Sequence, residues 1–422
     1  MEEPVQINPE PALDEIYTRL VRLVFRIEGV TYGNYAAQKK SRLAYNPANN
    51  TPLEYIARYS GTFIEDSETA FDRLHNNLEP YHLLPLFRSE ENRPVIYLIS
   101  DRAIPRAGRS NPWINLGLFI LTVLSVITVG GLNALDTLDA GLFETIHKIF
   151  TAGWPYAVAL LSILGVHEFG HYFAGKRHGL DVTLPYFIPF PLPPLGTMGA
   201  FINMRGIPKN RNALFDVGVS GPLAGLVTTL VVLWIGLKTS VISALPAYNP
   251  DALTGIQLEG NSILYLFMKF LAFGKLLPEP ASYHSLNPFI YWITYLFTGQ
   301  PIPAGGSDVT LNGIAFAGWC GLLVTSLNLI PAGQLDGGHV SYIILGRKWV
   351  RRIFPFVLAA TVLLGFFWNG WWLWAVLIYF FGRTYAEPLD QVSPLSPKRR
   401  WLGILVFVVF LITFIPVPFN YY

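Results

Sequence analysis

The sequence predicts a polytopic α-helical membrane protein of about seven spans with a small soluble α/β domain at its N-terminus. Three observations lead there. Asp, Glu, Lys and Arg make up only 14% of the 422 residues, against roughly 25% in an ordinary soluble domain. Of these 58 side chains, 28 fall in residues 1–110, so the other 312 residues are less than one-tenth charged. Long apolar runs recur only in that second part, several of them near the ~20 residues that a helix needs to cross a bilayer.

The soluble domain, residues 1–110, opens after Asn8-Pro9 with Leu13, Ile16, Leu20, Val21 and Val24 at helical spacing, followed by a β-type run from Val24 to Val30. A second helix is expected over Asp66–Leu78. Strands are expected at His82–Phe87 and Val95–Ile99, joined by the polar turn Ser89 to Arg93. No catalytic constellation stands out here, and the domain reads as a docking or substrate-presenting module.

The membrane part, residues 111–422 with a core at 150–345, offers spans at Trp113–Val129, about Phe150–Ala174, Ala213–Leu237, Leu311–Ile330, Ile353–Phe367, Trp371–Phe381 and Trp401–Val417. The shorter runs Ile263–Phe273 and Pro288–Phe297 raise the count to eight or nine if they cross. Between the second and third spans, Leu184–Met204 is apolar yet carries five prolines, Pro185, Pro189, Pro191, Pro193 and Pro194, so it cannot be a helix. Non-helical backbone at membrane depth survives only beside protein or a water-filled cavity, which predicts a re-entrant loop, with a Pro-rich surface loop as the alternative. Thr197–Met204 is its candidate edge strand.

Basic residues cluster at Arg102, Arg106 and Arg109, between the second and third spans, after the fourth, and at Lys398–Arg400. All four clusters fall on one side, which the positive-inside rule makes cytoplasmic together with the soluble domain. Trp368, Trp371, Trp372 and Trp374 then form an aromatic belt at the other interface. The N-terminus matches neither a secretory signal nor an Arg/Ser-rich transit peptide, so a bacterial-type plasma (inner) membrane is the expected location, with a plastid membrane second. The formal charge of +2 and the lack of a basic stripe exclude a nucleic-acid partner. Cys320, the single cysteine, cannot form an intrachain disulfide and reads as a packing residue.

The chemistry is concentrated in the second span, which reads His167-Glu168-Phe169-Gly170-His171, an H-E-x-x-H pattern. With 8 His and 16 Glu in the chain, it arises by chance about 0.6% of the time. Spacing of four puts both imidazoles on one helix face, able to share a metal, with Glu168 in reach of a metal-bound water. Ionisable groups inside a bilayer need such compensation. A third ligand has to come from elsewhere, and Asp336 and His339, just beyond the fourth span, are the candidates on the same side. Asn328 is a polar amide in an apolar segment, suited to hold substrate backbone or an oxyanion, or equally to bond a neighbouring helix. Gly218, Gly221 and Gly225 read as a helix-packing stripe, and Asp216 as a charge favoured near a helix N-terminus.

These motifs resemble those of the site-2 proteases, which are intramembrane zinc metalloproteases. The resemblance rests on His167–His171, on Gly199-Ala200-Phe201 to Gly221-Pro222-Leu223-Ala224-Gly225, and on the Asn-x-x-Pro-x-x-x-Leu-Asp-Gly-Gly-His stretch at 328–339. It covers roughly residues 110–345. The soluble head and Gly260-Asn261-Ser262 look most similar to the prokaryotic and plastid branch. The resemblance implies one Zn2+ per chain bound by His167, His171 and Asp336, with Glu168 as general base and acid and His339 supporting the site or merely packing. It further implies cleavage of single-span membrane proteins within or near their transmembrane segment. Two other classes compete: a non-catalytic metal-binding scaffold or receptor, and an ion-coupled transporter. The presence of Glu168 speaks against the first, and the lack of an inverted repeat against the second.

Overall fold

The computed structural model describes residues 13–33, 55–101, 111–135, 141–247, 257–283 and 286–421. Two units make up the chain. One contains residues 1–108 with two later stretches, 206–212 and 386–395; the other contains residues 109–205, 213–385 and 396–422. The expected basic cluster at Arg102, Arg106 and Arg109 lies outside the described residues.

In the first unit, helix α1 (Leu13–Arg22) has Asp14 and Glu15 in its first turn and Arg19 and Arg22 in its last, the order that a helix dipole favours. Strand β1 (Phe25–Tyr32) pairs with β2 (Ala57–Phe63). Helix α2 (Ser67–Leu78) starts where Asp66 accepts from the Glu68 and Thr69 N–H groups, satisfying donors that a helix start leaves free. Strands β3 (Leu83–Glu90) and β4 (Arg93–Ser100) turn on Glu91 and Asn92, both left-handed at φ 49° and 64°, as a two-residue hairpin requires. The sheet is antiparallel in the order β1-β2-β4-β3, and Phe71, Leu74 and Leu78 of α2 join its core. Strand β2 has no apolar signature in the sequence, because its inward positions include Ala57 and Gly61. A Cβ on Gly61 would strike the Arg26 carbonyl of β1.

The two later stretches complete this unit. Phe87 N–H donates to Leu389 O (3.0 Å) and Gln391 N–H to Phe87 O (3.1 Å), while Leu389 and Asp390 N–H donate to Pro208 O (2.9 Å) and Lys209 O (2.8 Å). The buried Arg88 guanidinium donates to the carbonyls of Phe87, Pro388 and Leu389. Beside it Asp390 is buried, and burial pushes its carboxyl above the usual carboxylate range.

Among the described residues, three helices are long and apolar enough to cross a membrane: α3 (Pro112–Ala134), α4 (Leu142–Arg177) and α5 (Arg211–Lys238). Between α3 and α4, Gly131 and Gly153 allow backbone to meet backbone, since a Cβ on either would run into the facing helix; small residues are what lets helices approach in lipid. Between α4 and α5 stands the non-helical hairpin of β5 (Tyr186–Pro189) and β6 (Thr197–Phe201). Thr197 fastens it, its hydroxyl donating to Ile188 O (2.7 Å) and accepting from Gly199 N–H (3.0 Å).

Two small pairings follow: β7 (Val241–Ala244) with β9 (Ser307–Thr310), and β8 (Gln257–Glu259) with β10 (Phe419–Tyr421). The remaining helices are α6 (Ile263–Phe273), α7 (Pro288–Thr298), α8 (Gly313–Asn328), α9 (Asp336–Leu345), α10 (Arg347–Leu364), α11 (Gly370–Phe381) and α12 (Pro397–Thr413). The expected fourth span is thus the 16-residue α8, about 24 Å long against a hydrocarbon core of ~30 Å. A count of seven spans does not follow from helix length. The expected tryptophan belt is also corrected at Trp371, which is fully buried, donates its indole N–H to Pro416 O (2.6 Å) and packs on Phe414. Lys269 of α6 is likewise fully buried, with Nζ 3.2 Å from Glu259 Oε1, 3.1 Å from Asp308 Oδ1 and 4.4 Å from the centre of the Tyr265 ring. Gly260-Asn261-Ser262 leads into that helix: Gly260 O accepts the Trp319 indole N–H (2.8 Å) and Ser262 caps α6.

Candidate metal centre

The centre is assembled from α4, α5, α8 and α9. His167 and His171 lie one turn apart on α4, both buried, with their Nε2 atoms 3.1 Å from each other. The facing carboxylate comes from Asp336, the first residue of α9. Its Oδ2 is 3.3 Å from His167 Nε2 and its Oδ1 3.3 Å from His171 Nε2. Among the described residues these three side chains form the one group of histidine, cysteine and carboxylate donors that converge within 4.8 Å.

Local sequence explains the position of Asp336. After α8 the chain folds back through Pro331 and Gly333, the latter at φ +53°, and lays residues 329–333 against the start of α9. Gly337 and Gly338 are the points of closest approach. A Cβ on Gly337 would stand 2.8 Å from Ile330 O and nearer still to Leu329 O; one on Gly338 would stand 2.6 Å from Ala332 O. The glycines of the Leu-Asp-Gly-Gly-His stretch therefore let the turn close, and the closed turn aims Asp336 at the histidines.

The donor geometry fits a metal. Ligand atoms at about 2.0–2.1 Å from a tetrahedral ion lie some 3.3–3.4 Å apart along each edge; the two Nε2 atoms are 3.1 Å apart, and the Asp336 carboxylate faces both with one oxygen 3.3 Å from each. Two imidazole nitrogens and a carboxylate oxygen also suit zinc chemically and leave a fourth position open. His171 Nδ1 stands 2.7 Å from Val217 O. A carbonyl only accepts, so Nδ1 carries the proton and Nε2 presents its lone pair to the centre.

Glu168 is buried beside His167 and takes a hydrogen bond from the Ile202 backbone, just past β6. A cavity of about 210 Å³ opens here, lined by the three donors, Glu168, Asn328 and the hairpin residues Ala200, Phe201 and Ile202. Asn328, the last residue of α8, directs Nδ2 to within 3.3 Å of His167 Nε2. His339, the rival third ligand, lines the same cavity one turn beyond Asp336 but lies outside the converging donor group.

The glycine stripe on α5 is more than the packing surface read from the sequence. A Cβ on Gly221 would stand 2.6 Å from His171 Cε1 and closer to Nε2, one on Gly225 would stand 3.1 Å from His167 Nδ1, and one on Gly218 would stand 3.3 Å from His339 Cβ. Gly221 and Gly225 share the four-residue spacing of the two histidines in reverse order, so antiparallel helices set one glycine behind each imidazole. That common spacing was the sequence signal for the cradle. The backbone acceptor Val217 O had no side-chain signature.

Two histidines of the longest apolar helix among the described residues, facing a carboxylate from α9, define a membrane-embedded protein built around a metal centre. The model of peptidase family M50 matches residues 155–367, half of the chain and all three donors, and the chain belongs to that family. This bears out the resemblance to site-2 proteases. Similar curated proteins include the probable zinc metalloprotease EGY2, chloroplastic, of Arabidopsis thaliana, 29% identical over 88% of this chain and 62% of its own length. Others are EGY1, chloroplastic, of Arabidopsis thaliana (26%; 76% and 57%) and EGY3, chloroplastic, of Oryza sativa subsp. indica (26%; 73% and 49%). The chain thus spans about half to three-fifths of the length of these relatives.

Proposed function

We propose that this protein is an intramembrane zinc endopeptidase that hydrolyses a peptide bond within or near the transmembrane segment of single-span membrane proteins. The observation that carries the reading is the convergence of His167, His171 and Asp336, with the two Nε2 atoms 3.1 Å apart and each 3.3 Å from a carboxylate oxygen, and Glu168 buried alongside. The zinc metalloprotease names of the relatives support the choice of metal. The scaffold alternative is not favoured, because the general base is in place beside the donors.

His167, His171 and Asp336 would hold the ion, which when bound polarises the scissile carbonyl and acidifies water. Glu168 takes a proton from the attacking water as its oxygen bonds the carbonyl carbon, then returns it to the amine nitrogen as the C–N bond breaks. A transmembrane helix shields its own peptide bonds, so the substrate has to be held extended. The free edge of β6 offers backbone groups for strand addition, and the Ile202 hydrogen bond keeps that strand in register with Glu168. The Asn328 amide is placed to donate to substrate backbone or to the developing oxyanion.

Of the location expected from the sequence, the membrane assignment stands. The relatives named above are chloroplastic, which differs from the bacterial plasma membrane expected first and matches the plastid membrane expected second. The basic residues Lys176, Arg177, Arg205, Lys209 and Arg211, with those at 347–352 and 398–400, support an orientation in which these loops and the soluble unit share one side. In this reading the shorter helices α8 and α10 to α12 complete the membrane body.

The test is zinc analysis of the purified protein together with cleavage of single-span substrates by wild type and Glu168→Gln in liposomes. About one zinc in both proteins, with cleavage only by wild type, is the expected result. Wild type without zinc, or a variant that cleaves at the wild-type rate, overturns the reading.

A further inference from the structure

Asp216 is tied to more than a helix dipole. Near the start of α5, its carboxylate receives the planar fork of Arg399, the third residue of α12, with Nε 2.6 Å from Oδ1 and Nη2 2.6 Å from Oδ2. His178, the residue that ends α4, places Nε2 2.8 Å from the same Oδ2. Arg399 Nη1 also donates to Ser396 Oγ (3.1 Å), which fixes the guanidinium before it reaches across. All three side chains are about a quarter to a third exposed, and paired, bidentate geometry of this kind is the strong form of a charged hydrogen bond.

The next residue along α5 is Val217, whose carbonyl holds the His171 Nδ1–H. The helix that carries His171 and the helix that carries its acceptor are therefore fastened to one another by His178 and Asp216, two turns beyond His171, and the fastening is braced from a third helix by Arg399. Asp216 also lies four residues past the 206–212 stretch and Arg399 four past 386–395, at the two places where the chain leaves the soluble unit and enters the second.

We propose that the Arg399–Asp216–His178 clamp is a positioning device for the metal centre: it fixes the register of α5 against α4, and so holds Val217 O where it orients the His171 imidazole toward the metal. The inference rests on the zinc-site reading above, and none of the three clamp residues touches the metal or substrate. Outer partners that orient a ligating imidazole change metal affinity by about 10–100-fold when removed. Loss of the clamp acts at one remove through Val217, so a fall in zinc affinity of about tenfold is expected. Asp216→Asn removes it without changing side-chain size, and Arg399→Gln removes the charge and the fork on a shorter side chain; Arg399→Lys keeps the charge but has no fork.

Zinc affinity is measured by chelator competition on the full-length protein in detergent, with the unfolding temperature recorded in parallel. In Asp216→Asn and in Arg399→Gln the affinity should fall about tenfold and Arg399→Lys should recover only part of it. The double variant Asp216→Asn/Arg399→Gln should be no worse than the poorer single one, because the two act as a unit. At saturating zinc, kcat should be lowered with KM unchanged. Zinc affinity within twofold of wild type in either single variant overturns the clamp, as does a loss of zinc that follows the unfolding temperature across all variants, which marks a purely structural role. Wild type that binds no zinc overturns the metal-site reading itself, and the clamp with it.

Discussion

Gly221→Ala tests the construction of the centre with a single methyl group. The added Cβ would stand 2.6 Å from His171 Cε1 and closer to Nε2, against the 3.4 Å at which ordinary contact begins. The ring has to retreat by at least about 0.8 Å, while metal–ligand distances tolerate only ±0.2 Å or so. Retreat also strains the 2.7 Å bond to Val217 O. A displaced ligand should weaken zinc binding by at least the 10–100-fold seen for outer partners, equivalent to about 1.4–2.8 kcal/mol. Gly165→Ala is the matched control, since nothing lies within 4 Å of a Cβ there and alanine favours the helix by roughly 0.5–1 kcal/mol. Gly225→Ala, with contacts of 3.1 Å, should fall between the two. The assay is chelator competition with zinc quantified by mass spectrometry, on protein whose folding is verified by its unfolding transition. Folded Gly221→Ala with zinc affinity within twofold of wild type refutes the cradle.

Three further outcomes are expected. Thr197→Val deletes the hydroxyl that fastens the β5–β6 hairpin and should raise KM several-fold with kcat little changed, in steady-state kinetics on a single-span substrate. Lys269→Met leaves Glu259 and Asp308 without their buried cation; removing one partner of a buried ion pair costs about 3–5 kcal/mol, visible as a lowered unfolding temperature in detergent. For Asp390, burial sets the folded pKa above the ordinary 3.8. Its stabilising contribution is then fully present below that value and lost as pH rises through the folded pKa. Amide exchange at Leu389 and Gln391, corrected for intrinsic rate, should quicken over that rise, and Asp390→Asn should flatten the dependence.

The helical body and the H-E-x-x-H pair were legible because each is a local property: apolar length sets α3, α4 and α5, and a four-residue period sets two imidazoles on one face. The non-helical hairpin was legible for the same reason, since prolines forbid helix whatever surrounds them. Strand β2 was not, because Gly61 is required by the Arg26 carbonyl of the neighbouring strand and not by its own hydrophobicity. Trp371 escaped too: a tryptophan with a buried acceptor for its N–H joins the core, and the acceptor, Pro416 O, lies 45 residues away.

What the sequence determined by itself was the donor chemistry: two histidines, a glutamate and a choice between Asp336 and His339 for the third ligand. The tertiary structure showed which of those two faces the histidines, because only the glycine-dependent turn before α9 brings the Asp336 carboxylate to 3.3 Å from both imidazoles. It also decided that a stripe of glycines is a cradle and that Asp216 is a clamp. Those roles depend on which backbone or side chain arrives from a distant segment, and a period along one helix carries no record of its neighbour.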